Sequence, residues 1–122
     1  MDANQEHEIT KAIAAHGLWK ARLKTAIENG TSEFDVATIG RDDRCDFGKW
    51  LHGGASPEIQ ASAHYQSCRG LHAEFHQFAA EILRLALAGQ KESAEAKMAT
   101  QSDFARVSAK LVHEMSDWKH AA

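Results

Sequence analysis

The chain has 122 residues, 43% of them hydrophobic and 25% charged, with a formal net charge of −3 when histidine is neutral. That length makes a single domain over residues 1–122 the expectation, with a core that needs no covalent staples. Dispersed Lys and Arg argue against a nucleic-acid or membrane-surface footprint, and no apolar run approaches the roughly 20 residues of a membrane span.

One proline, Pro57, and few β-branched runs leave strands almost without support, so helices are expected throughout. The first helix should run from near Asp2 to Asn29 and stop at Gly30, a good C′ residue. Its apolar stripe carries Ile9, Ala12, Ile13, His16, Trp19, Leu23 and Ile27. At about 100° per residue His16 lies within about 20° of the centre of that stripe, where water is scarce. Lys20 falls in the same arc and must snorkel or find a partner.

Residues 31–40 read as a short helix or a structured loop. Residues 41–52 look like another short helix, carrying Cys45 and ended by Gly53-Gly54. Then Ser56 as N-cap, Pro57 at N1 and Glu58 in the first turn mark a clear start. From there the pattern stays helical to Gly89, a rod of about 50 Å. Leu71, Phe75, Phe78, Ile82 and Leu85 form one seam of it, and Cys68, His72, His76, Ala79 and Leu83 a second apolar edge. An arc that wide should touch at least two other helices, or one helix and a second subunit. A last helix is expected from about Lys91 to Lys119, with Phe104, Val107, Leu111, Met115 and Trp118 inward. The fold class is all-α: a small helical bundle, four-helix-bundle-like, with one or two short extra helices.

Four residues carry potential metal chemistry: His16, Cys45, His72 and His76. Positions i and i+4 share a helix face, so His72 and His76 can hold one ion between them. A thiolate with imidazoles suits Zn²⁺, and four protein ligands close its tetrahedron. A lone buried histidine is more often a packing residue, and a buried cysteine alone is weak evidence, so the weight lies in the combination. Cys68 competes for the sulfur position, because Cys68, His72 and His76 follow at steps of four. Three ligands over eight residues, however, span about 12 Å of rise, too far for zinc bonds of about 2.0–2.3 Å without distorting the helix. The pair plus ligands from elsewhere closes the shell more easily. His7, His52, His113 and His120 read as surface residues.

Other patterns fail. No Glu-x-x-His pair suggests a di-iron bundle, no His-Glu-x-x-His or Cys-x-x-Cys-His occurs, and no glycine-rich phosphate loop is present. With four protein ligands no position is left for an activated water, so the chain is not expected to be an enzyme. Residues Met1 to Glu8 are too acidic for a secretory signal. Together with two cysteines expected as thiols, that points to the cytoplasm.

The segments His16-Gly17-Leu18-Trp19-Lys20, Cys45-Asp46-Phe47-Gly48-Lys49-Trp50-Leu51 and His72-Ala73-Glu74-Phe75-His76 strongly resemble the chemoreceptor zinc-binding (CZB) family, over about residues 12–118. Carried over by motif, the resemblance puts the zinc ligands at His16, Cys45, His72 and His76 and leaves Cys68 outside. It also implies a homodimer with one zinc per subunit. The implied role is sensory, in bacteria, modulating a chemotaxis receptor or a diguanylate cyclase and so cyclic-di-GMP output. Zinc and, through Cys45, oxidants are the implied inputs. Met1 and the lack of a linker after Trp118 favour a stand-alone member acting on a partner over an excised piece. The competing expectation is a helical dimerisation module with histidines as packing residues and no metal-dependent switch.

Overall fold

The computed structural model describes residues 3–120, so the expected helix start near Asp2 lies outside the described residues. The described residues are all-α, with three long helices carrying the bundle: α1 (Ala3–Asn29), α5 (Ala63–Leu87) and α7 (Asp103–His120). Between α1 and α5 lie α2 (Val36–Ile39), α3 (Asp46–Lys49), a π-helical turn (Trp50–Gly54) and α4 (Pro57–Gln60). A short α6 (Lys91–Lys97) joins α5 to α7.

Helix α1 forms where the apolar stripe predicts it and buries Ile9, Ala12, His16, Trp19, Leu23, Ala26 and Ile27. It stops at Gly30, whose φ of 70° no β-carbon opposes, and whose N–H donates to the Ala26 carbonyl at 2.8 Å. Lys20 is exposed, at the rim of a groove beside α7. Helix α5 is the hub: α7 and α1 cover it most extensively, and α2, α6 and α4 pack on it as well. Its buried set includes Cys68, His72, Phe75, His76, Ala79, Ile82, Leu83 and Leu85, while Leu71 and Phe78 of the expected seam are only half-buried. Neighbouring helices of the same chain therefore meet the wide apolar arc.

Two expected continuous helices are broken. Ser56 does cap α4 ahead of Pro57, accepting from Ile59 N, but the helix ends at Gln60 and a second cap follows. Ser62 accepts from Tyr65 N at 3.1 Å and starts α5 afresh. At about 100° per residue, the six steps from Ile59 to Tyr65 leave the two side chains about 120° apart on one rod. The break lets both turn toward the core. Tyr65 is then fixed by its hydroxyl, which donates to the Leu51 carbonyl at 2.6 Å. The expected Lys91–Lys119 helix is likewise split into α6 and α7, with Ser102 accepting from Ala105 N at 3.2 Å. Ala94 of α6 and Phe104 of α7 are both buried. The inward face of α7 is the expected one: Phe104, Val107, Leu111, Met115 and Trp118.

Candidate metal centre

His16, Cys45, His72 and His76 arrive from three separate stretches and meet inside the bundle. One donor atom from each lies within 4.8 Å of all the others. His72 and His76 stand one turn apart on α5, with their Nε2 atoms 3.1 Å from each other. Cys45 Sγ is 3.2 Å from His72 Nε2 and 3.5 Å from His76 Nε2. The His16 ring closes the group from α1, its centroid 4.9 Å from that of His72 and 5.7 Å from that of His76.

Cys45 does not sit within a helix, as expected from residues 41–52, but at its edge. It is the N-cap of α3, in extended conformation, and its sulfur accepts from Gly48 N at 3.3 Å. The capping position turns Sγ inward toward α5 while the backbone enters α3 from outside. Gly48 is required for this turn, because a Cβ there would lie 1.8 Å from the Asp42 carbonyl oxygen. Asp42 also meets His52, Oδ2 to Nε2 at 3.0 Å, and Arg69 of α5 donates to His52 Nδ1 at 3.5 Å. These contacts tie both ends of the cysteine segment to each other and to α5.

The outer hydrogen bonds set which imidazole nitrogen faces inward. His16 Nδ1 donates to the Ala12 carbonyl at 2.7 Å, one turn back in its own helix. His76 Nδ1 donates to the Ile39 carbonyl at 2.9 Å. Each bond leaves an unprotonated Nε2, and that of His16 is buried with no hydrogen-bond partner among the described residues. His72 Nδ1 is also buried without such a partner. Packing against the Phe47 and His16 rings holds that imidazole instead. Neither backbone carbonyl could be anticipated from residue types, because any residue supplies one.

Burial keeps the three rings neutral. It lowers His16 to about 4, against the pull of the Ala12 carbonyl and with a smaller push from His76. It lowers His72 to about 2, with like-charge repulsion from His76 and His16 adding to it, and lowers His76 in spite of the Ile39 hydrogen bond. Burial raises the Cys45 thiol, opposed by the Gly48 N–H. A bound cation reverses that balance, since a thiolate next to it is stabilised. Neutral imidazoles and one ionisable sulfur are the donor forms a soft divalent metal takes.

The spacing of His72, His76 and Cys45 fits as well. For bonds of about 2.0–2.3 Å at tetrahedral angles, the ligand-to-ligand edges are about 3.3 Å for N···N and about 3.6 Å for N···S. The 3.1, 3.2 and 3.5 Å contacts among His72, His76 and Cys45 lie close to those edges, while the four donors together spread to 4.8 Å, so His16 would close in on a bound ion. An orphaned, inward-facing His16 Nε2 in a dry site has a natural partner in a cation at the centre.

A family model, described as the chemoreceptor zinc-binding domain, matches residues 16–83, more than half of the chain. The chain belongs to this family. The matched CZB segment opens on His16 and contains Cys45, His72 and His76, so all four clustered residues fall within it. The family is a sensory zinc-binding one rather than a catalytic one. No curated protein and no solved structure matches this CZB chain. Within the domain, Cys68 stands apart from the cluster. It is fully buried, a free thiol, and pushed up to about 12 by burial and by the charge of Glu114. His7, His52, His113 and His120 are exposed, as their sequence setting predicts.

Proposed function

We propose that the domain is a zinc-responsive sensory module in which His16, Cys45, His72 and His76 hold one Zn²⁺ per chain. The observation carrying this reading is the convergence of four donor atoms within 4.8 Å, three of them on buried neutral imidazoles. Elemental analysis of the purified protein tests it. About one zinc per chain is expected, lost in Cys45→Ala and His72→Ala and retained in Cys68→Ala. Zinc retained in Cys45→Ala at full occupancy would sink the assignment.

When bound, zinc supplies a positive centre that the four residues share. The chain's contribution is to bring three stretches to one point: α1 through His16, the cysteine segment through Cys45, and α5 through the His72/His76 pair. Helices α1 and α5 are long and packed along their length, so they stand without the cation. The segment around α3 is short, and besides Cys45 it is held by the Asp42–His52, Arg69–His52 and Tyr65–Leu51 contacts and by the buried Phe47, Trp50 and Leu51. Zinc therefore biases an equilibrium between a docked and a released cysteine segment, the minimum a sensor needs.

Cys45 offers a second input. It is the one member of the four that is not fully buried. Oxidation of its thiolate to a sulfenic or sulfinic acid removes a ligand. Zinc release on treatment with hypochlorous acid or peroxide, in step with modification of Cys45, is the expected result. Retention of zinc with Cys45 modified would exclude this input. The output we propose, on the family's character, is bacterial cytoplasmic signalling by a homodimer acting on a chemotaxis receptor or a diguanylate cyclase.

A further inference from the structure

The stretch between α1 and Cys45 contributes no side chain to the metal centre, yet it reaches the centre through one backbone atom. The Ile39 carbonyl accepts the hydrogen bond of His76 Nδ1 at 2.9 Å. Of the two outer hydrogen bonds on the cluster's imidazoles, that of His16 stays within its own helix, at Ala12. The Ile39–His76 bond instead crosses from one element to another, over 37 positions of sequence.

The acceptor sits on a helix of a single turn, α2, which cannot sustain itself by its own hydrogen bonds. Side chains must hold it. Asp35 caps its N-terminus, with Oδ2 accepting from Thr38 N at 3.0 Å and from Thr38 Oγ1 at 3.1 Å. At the other end Ile39 is buried, and Gly40 lies so close to α5 that a Cβ would be 3.4 Å from Ala80 Cβ. Ala80 is one turn beyond His76, so the end of α2 rests on α5 just where the carbonyl is needed.

We propose that Asp35 is a positioning residue for the metal centre: by capping α2 it holds the Ile39 carbonyl on His76 Nδ1 and so keeps Nε2 aimed at the cation. This rests on the zinc reading above. The coupling is reciprocal. An imidazole bound to a dication is a stronger N–H donor, so an occupied centre in turn fastens α2, and residues 36–41 report on occupancy although none of them is a ligand.

Chelator competition on the full chain tests this with wild type, Asp35→Ala and Asp35→Asn. Wild type and Asp35→Ala are both expected to take up one zinc per chain. Asp35→Ala should bind it about five- to tenfold more weakly, between the effect of a lost cap and that of a lost outer hydrogen bond. Asp35→Asn keeps the capping oxygen and should return to near wild-type affinity. Zinc should slow amide exchange of residues 36–41 in wild type, and less so in Asp35→Ala, while the chelated proteins share the same helical circular dichroism. Wild-type affinity in Asp35→Ala, or an equal loss in Asp35→Asn, overturns the proposal while leaving the zinc reading intact. No zinc in the wild type overturns both.

Discussion

At Gly48 the chain leaves no room for a side chain, because the Asp42 carbonyl passes directly beneath it. Gly48→Ala should therefore push the Asp42 loop away and swing the Cys45 sulfur off the two histidines. Zinc affinity is expected to fall more than about tenfold, as for loss of a supporting contact, while α1, α5 and α7 keep their circular dichroism. Competition with a chromogenic chelator measures it, and an unchanged affinity would refute the role given to this contact. The three histidines and Cys45 stood out from their types and spacing, with Cys68 as a rival sulfur that the family resemblance set aside. Their outer partners did not, because Ala12 and Ile39 act through carbonyl oxygens and nothing in either residue type marks the role. The position of Cys45 was misread for a related reason. A cysteine is an unusual N-cap, so its segment read as helix interior although its sulfur accepts from Gly48 N.

Among the elements, long helices and short ones answer to different forces. Helices α1, α5 and α7 follow their apolar periodicity, since each buries a full stripe against the others. The short pieces between α1 and α5 have no such stripe, and their form is set by what they touch. The breaks at Ser62 and after α6 show the same rule within regions whose local pattern stays helical. There a local capping oxygen, and at Ser62 the packing of Ile59 and Tyr65 against the core from opposite sides of the break, override helix propensity. The consequence for metal removal is unequal. Stripping zinc should raise amide exchange across residues 41–54 and leave the centres of α5 and α7 protected, because those helices are also held by apolar packing along their length. Exchange that is unchanged in 41–54 after complete chelation would rule out the released state.

At the scale of the whole molecule, burying three imidazoles costs stability as acidity rises. The unfolded histidines take protons near their ordinary value of about 6.5. In the folded, metal-free protein His16 does so only at about 4 and His72 at about 2. Between those limits the unfolded chain binds more protons, so stability falls as pH drops below about 6.5 and is retained above it. Denaturant midpoints of the chelated protein at pH 7.5 and pH 5.0 should differ in that direction. Equal midpoints would show that the imidazoles are not held neutral by burial.

Sequence alone determined the all-α class and the bundle-facing stripes, because helical periodicity is a local property, and it offered His16, Cys45, His72 and His76 as donors, with the family resemblance favouring Cys45 over Cys68. Only the tertiary structure decided how they meet: that the sulfur enters as a helix cap, that Gly48 admits the Asp42 carbonyl, and that α2 reaches His76. These depend on backbone atoms from distant stretches arriving together. Backbone atoms are the same in every residue, so their meeting place is fixed by packing and leaves no mark in the sequence.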